Sequence, residues 1–345
     1  MTAFGDYIQI MITERCNMRC VHCAVPEEDS PAEFELTTDE WKEFITVTGA
    51  AGSRALTISG GEASLREDAA DLLAHAAESG YERVTLLSNG LIRTSMLRSI
   101  ADVQQRYPEV IGFHVSLDGA SSITHDRIRG LGTFRAIRGR LDVFREFGGR
   151  ITGVHTVIHQ GNLGEFDDLV AMVGELGANV WTVFPVAALG RANTAGLVSL
   201  APEQWADVTE RLSALRRDPG LDVGQMGPVG EDDWPSSLGV VTHGREPVSN
   251  NVVVGPDGGM FLCPPLRDKL IGSARTIDGN SWTESRRYGS SLTEGICGSC
   301  KFHLLCTGID PAEPFRVATD DTETKAPEVL LRELTAHGGV NACVD

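Results

Sequence analysis

Cys16, Cys20 and Cys23 form a C-x-x-x-C-x-x-C run, "CNMRCVHC", close to the start of the chain. A tetrahedral zinc site takes four ligands, commonly from two C-x-x-C pairs, whereas three thiolates packed this tightly leave one position of a four-iron cluster open. His22, beside Cys23, is the residue that could complete a zinc site instead. A second group gathers Cys263, Cys297, Cys300 and Cys306, and Cys343 follows near the C-terminus. In a long chain without a secretory signal, clustered cysteines read as metal or redox sites rather than disulfides. Two groups at opposite ends of the sequence therefore predict two separate metal sites.

The rest of the chain must supply the walls for these sites. It has 345 residues, of which 41% are hydrophobic and 23% charged, enough apolar material for a sizeable core. No apolar run reaches the ~18 residues a membrane span needs, and the first residues lack a signal-peptide pattern, so the expected location is the cytoplasm, with no membrane partner. A net charge of −18 repels phosphate backbones, which argues against a nucleic-acid partner and suits a neutral or cationic substrate.

Short β-rich runs alternate with amphipathic stretches through the first half. The runs are 7–13, 55–59, 83–88, 110–117, 151–159 and 179–186; the helical stretches are 38–51, 66–79, 93–106, 134–147 and 163–176. This alternation predicts parallel strands joined by helical crossovers. Six units in this length predict an α/β fold built as a partial (β/α)6 TIM barrel, since a closed eight-unit barrel needs ~250 residues. Ligands then collect at the C-terminal ends of the strands, just where the first cysteine run follows strand one. Residues 200–217 read as one helix, 219–250 are Gly/Pro-rich without periodicity, and "NNVVVGPDGGMFLC" (250–263) reads as a β-hairpin turned at "GPDGG". The expected divisions are a barrel over 1–200, a helix and linker over 201–250, a small cysteine-rich α+β domain over 251–320, and a polar tail over 321–345.

The run "CNMRCVHC" resembles the signature of the radical S-adenosylmethionine (SAM) enzymes. The resemblance implies that Cys16, Cys20 and Cys23 hold three irons of a [4Fe-4S] cluster whose fourth iron takes the amino and carboxylate groups of SAM. Reductive cleavage of SAM would give a 5′-deoxyadenosyl radical that removes hydrogen from an unreactive carbon. Further stretches resemble the family in order along the chain. "SGGE" (59–62) is similar to the glycine-rich segment at the SAM amine, implicating Gly60, Gly61 and Glu62. "LSNG" (87–90) and "VSLDG" (115–119) are similar to segments touching SAM through Ser88, Asn89, Ser116 and Asp118. In "HDRIRGLGTF" (125–134) the family places an arginine for the SAM carboxylate; a bidentate fork suits it, and Arg129 is favoured over Arg127. His22 occupies the family's usual aromatic place beside the adenine, and Asn162 in "HQGN" and Arg191 in "FPVAALGRA" extend the cofactor-binding set.

The second cysteine group resembles the SPASM/twitch extension of this superfamily, with G-x-x-x-x-C at Gly258 and Cys263 and C-x-x-C-x-x-x-x-x-C at Cys297, Cys300 and Cys306. A full SPASM pattern would carry a further cysteine upstream of Gly258 and another where Asp310 stands, so one auxiliary [4Fe-4S] cluster is implied, not two. Its fourth ligand is left open among Cys263, Cys343 and Asp310; a structural zinc is the alternative. An auxiliary cluster can accept an electron from a substrate radical, so the expected reaction is oxidation of an alcohol to a ketone on an amino sugar or aminocyclitol, with His114 or His155 as the proton acceptor. A flavodoxin or ferredoxin would supply the reducing electron. The alternatives are a ribosomal-peptide maturase, a decarboxylase or epimerase of a sugar or nucleoside, and a non-enzymatic zinc-stapled binding protein. A small-molecule substrate is favoured over a peptide here, because strand one begins near residue 7 and leaves no room upstream for a leader-recognition domain.

Overall fold

The computed structural model describes residues 7–23, 34–186, 190–193, 195–215, 222–225, 251–261 and 270–285. Strands β1 (Tyr7–Met11), β2 (Ala55–Ser59), β3 (Arg83–Ser88), β4 (Ile111–Ser116), β5 (Gly153–Ile158), β6 (Val180–Pro185) and β7 (Asp222–Gln225) lie side by side in chain order, all parallel. Between them run α1 (Thr38–Ala50), α2 (Ala69–Glu78), α3 (Thr94–Arg106), α4 (Ser122–Arg129), α5 (Thr133–Glu146), α6 (Phe166–Glu175) and α7 (Pro202–Leu215). On the other side of β1, β8 (Asn251–Val254) adds in parallel, and β9 (Gly259–Phe261) and β10 (Gly272–Ser273) continue antiparallel. The sheet is therefore open, in the order β10-β9-β8-β1-β2-β3-β4-β5-β6-β7. This is the expected partial barrel.

Period-two alternation explains the two faces of the sheet. Ile8, Ile10, Leu56, Ile58, Val84, Leu86, Phe113, Val115, Val154, Trp181 and Val183 pack with helix residues such as Trp41, Phe44, Leu72 and Leu141 in one continuous core. The alternate residues, including Gln9, Thr57, Ser59, His114 and His155, turn to the opposite, inner face. The chain enters α1 through a capping box: the Thr37 side chain accepts from the Glu40 N–H, and the Glu40 carboxylate accepts from the Thr37 N–H.

Two elements carried no readable signal. β7 is four residues long within a Gly/Pro-rich stretch, too short to show alternation, and α4 is a single eight-residue helix. The hairpin was legible, but its partner was not, because the parallel pairing of β8 with β1 joins opposite ends of the sequence. Arg275 fastens this region to the N-terminal side, donating to Glu40 Oε1 (2.9 Å), the Phe34 carbonyl (2.7 Å) and the Asp257 carbonyl (3.0 Å), while Trp282 meets Phe44 edge-on at 6.2 Å. Cys263, Cys297, Cys300, Cys306, Asp310 and Cys343, with the expected auxiliary site, lie outside the described residues.

Candidate active site

The cysteine loop leaves the C-terminal end of β1 and is clasped by the end of β2. The Gly61 N–H donates to the Thr13 carbonyl (2.7 Å) and the Glu62 N–H to the Arg15 carbonyl (2.8 Å). A Cβ on Gly60 would lie 2.3 Å from the Thr13 carbonyl oxygen, and one on Gly61 2.3 Å from that of Glu14. The two glycines are thus required by the approach of two backbones, and the Gly61 N–H is already committed to the cysteine loop. Beneath it, the buried Glu35 carboxylate accepts from the Thr13 hydroxyl (2.5 Å) and Arg66 (3.2 Å), and Arg66 also donates to the Leu36 carbonyl (3.0 Å).

Cys16, Cys20 and Cys23 are free thiols. The Cys16 sulfur accepts from the Met18 N–H (3.4 Å) and Asn89 Nδ2 (3.7 Å), and the Asn89 amide also donates to Asn17 Oδ1 (2.8 Å). Arg191 holds the other end of the loop, its backbone N–H on the Cys23 carbonyl (3.0 Å) and its Nε on the Cys20 carbonyl (2.9 Å). Burial pushes the Cys20 thiol up to about 11 against the opposing pull of the Arg129 guanidinium. Glu62 is buried and faces inward: its carboxylate accepts from the Ser64 N–H (3.1 Å), the Ser88 hydroxyl (2.9 Å) and the Asn89 N–H (2.7 Å). The ends of β2 and β3 are therefore tied together directly behind Cys16.

Asp118, just past β4, is the second centre. One carboxylate oxygen receives both His22 Nε2 (2.7 Å) and Arg129 Nε (2.5 Å), and the other accepts from the Val157 N–H (2.8 Å). Burial raises its proton affinity, but the charges of Arg129 and His22 outweigh that and hold the carboxyl far below the usual range. The Asn162 amide donates to the Asp118 carbonyl (2.9 Å) and the Val157 carbonyl (2.8 Å), locking the ends of β4 and β5 together. Arg129 is buried beside Cys20, whereas Arg127 is exposed. Sequence reasoning did not single out His125 and His159, although both lie in quoted stretches. His125 Nδ1 accepts the Asp118 N–H (3.3 Å), and burial takes its pKa down to about 4. His159 Nδ1 accepts the Gly161 N–H (3.0 Å), and burial lowers it as well.

The inner face of the sheet is polar. Tyr7 donates to Thr57 (2.9 Å) and Gln9 to Ser59 (2.9 Å). His114 Nδ1 and His155 Nε2 lie 3.0 Å apart across β4 and β5, and His155 packs against Phe184 with ring centroids 5.5 Å apart. Gly153 makes the room: a Cβ there would sit 2.6 Å from the His114 ring. Burial takes His114 down to about 4 and holds His155 well below its usual value, with His114 as its neighbour, so both are neutral at pH 7. Ser116, half-buried, is level with His155 at the strand ends.

Of the expected cofactor-binding residues, His22 lies on the cysteine loop, Gly61, Glu62, Asn89 and Arg191 hydrogen-bond to it, Gly60 packs against its backbone, and Ser88, Asp118, Arg129 and Asn162 join through these partners, while Ser116 stands at the end of β4 beside His155. Three free thiols on one short loop, with N–H donors aimed at Cys16, fit a cluster bound by Cys16, Cys20 and Cys23. When bound, the cluster and SAM supply a 5′-deoxyadenosyl radical able to take a hydrogen atom from a substrate.

Comparison with known proteins agrees with this geometry. The family described as the radical SAM superfamily matches residues 10–173. The AdoMet-dependent heme synthase of Methanosarcina barkeri is 33% identical over 327 residues, covering 89% of this chain and 92% of the relative. The mycofactocin maturase MftC of Mycobacterium tuberculosis is 25% identical over 313 residues, covering 86% of this chain and 76% of the relative. Among solved structures, Streptococcus suis SuiB bound to S-adenosylmethionine shares the fold with a TM-score of 0.66 at 18% identity, covering 89% of this chain and 73% of that one.

Proposed function

The chain belongs to the radical SAM superfamily, using SAM and a [4Fe-4S] cluster, and from that membership we propose that it modifies a peptide whose side chain enters the open barrel. The relatives carry this reading. The contacts on the inner strand face involve hydroxyls, an amide and two neutral histidines, which suit an uncharged side chain. The expectation of an amino-sugar oxidase rested on the implied auxiliary cluster as electron acceptor, with net charge a lesser hint, and it finds no support in the relatives. The similarity to the PqqA peptide cyclase of Rhodopseudomonas palustris, 30% identical over 62% of this chain and 56% of the relative, supports peptide work.

In this reading Gly60, Gly61, Glu62, Ser88 and Asn89 hold the cysteine loop against the strand ends. Arg129 and His22 face the SAM side. His114 and His155 stand at the substrate side, where a neutral imidazole can accept a proton. Cys297, Cys300 and Cys306, with Cys263, Cys343 or Asp310, would hold one auxiliary cluster as electron acceptor, and a flavodoxin or ferredoxin would supply the first electron. A second reading, heme formation, is favoured by the identity with the M. barkeri synthase across 92% of that protein.

Anaerobically reconstituted enzyme with SAM and dithionite, offered a synthetic peptide library, tests the proposal by mass spectrometry. A mass change in one peptide is the expected result. Heme formed from an iron porphyrin would favour the second reading, and loss of two hydrogens from an aminocyclitol with no peptide changed would contradict both.

A further inference from the structure

Asp118 was expected among the residues that touch SAM, yet its side chain is wholly buried and its carboxylate already receives three donors, His22, Arg129 and the Val157 N–H. It reaches a ligand only through the two side chains it holds. One of them, His22, precedes Cys23 on the cysteine loop. The other, Arg129, ends α4, whose Ile128 carbonyl accepts the Val21 N–H at 2.9 Å, so loop and helix are already in register.

The manner of holding matters. A carboxylate only accepts, so His22 must present Nε2–H to it, which fixes the ring's tautomer and direction. Arg129 gives Asp118 its Nε–H, and no other acceptor for the guanidinium is present among the described residues. Its two terminal NH2 groups therefore remain as a fork for a second carboxylate.

Resting on the radical SAM reading of this site, we propose that Asp118 is a positioning residue for SAM: it sets the direction of the Arg129 fork and of the His22 ring. Outer partners of this kind typically alter affinity by about 10–100-fold when removed.

The test uses full-length, iron-loaded enzyme and SAM binding by equilibrium dialysis, with the cluster's absorption spectrum as the check on an intact site. In Asp118→Asn, SAM affinity should fall about 10–100-fold at wild-type iron content and spectrum. Asp118→Glu keeps the charge but displaces the carboxylate, and affinity should fall at least ~10-fold, again with the cluster spectrum unchanged. If Asp118→Asn loses iron, the glutamate variant decides alone. SAM affinity within twofold of wild type in either iron-loaded variant would overturn the proposal. Failure of the wild-type enzyme itself to bind iron and SAM would instead sink the reading of the site on which the proposal stands.

Discussion

His114 lies on the inner face of β4, yet burial takes its pKa down to about 4, against ~6.5 for an unfolded histidine. Between those values the unfolded chain binds a proton that the folded chain refuses, so stability is full above about pH 6.5 and falls as the pH drops towards 4. One such histidine is worth roughly 3 kcal/mol by the bottom of that window. His114→Gln should therefore lose less stability than wild type between pH 6.5 and 4 in urea denaturation. Equal losses in the two proteins would show that His114 is not held neutral by the fold. His125 and His159 are lowered too and remain in both proteins, whereas His155, 3.0 Å from His114 and lowered partly by it, shares in the difference. At this scale the sequence was informative about identity and poor about role. The cysteines were legible because ligand number and spacing are local, while Asp118 looked like a ligand contact because nothing local shows that Arg129, His22 and Val157 close over it.

Elements position the site through strand ends. β2 clasps the cysteine loop through Gly60 and Gly61, β3 contributes Ser88 and Asn89 behind Cys16, and β4 and β5 are joined by Asp118 and Asn162. A side chain at Gly61 would meet two backbone oxygens, those of Glu14 at 2.3 Å and Arg15 at 2.5 Å, and backbone cannot swing aside. Gly61→Ala should thus displace the loop and reduce bound iron at least several-fold after reconstitution, whereas Gly164→Ala, with nothing within 4 Å, should load iron as wild type does. Full iron in Gly61→Ala would mean that the loop is not shaped by this contact. The six strands β1 to β6 were readable from their apolar runs because each packs on helices by a local periodicity. The short β7 and the pairing of β8 with β1 were not, since one lacks length and the other depends on contacts between distant segments.

At the scale of the whole molecule, an open sheet of eight parallel strands and an antiparallel edge presents one mouth, and the cysteine loop lies across it at the end of β1. Net charge describes the whole surface and not the inner strand face, where His114 and His155 are neutral, so overall acidity alone does not identify the substrate. Among the described residues no helix is long and apolar enough to cross a membrane. The central claim is that Cys16, Cys20 and Cys23 together hold the cluster at which SAM is cleaved. Its most direct test is 5′-deoxyadenosine formation by anaerobically reconstituted protein with SAM and dithionite, compared between wild type and Cys20→Ala. Wild type should form 5′-deoxyadenosine with labile sulfide present, and Cys20→Ala should form none while keeping any iron bound elsewhere; a wild-type protein holding about one zinc per chain without labile sulfide, or 5′-deoxyadenosine made by Cys20→Ala, would contradict the claim.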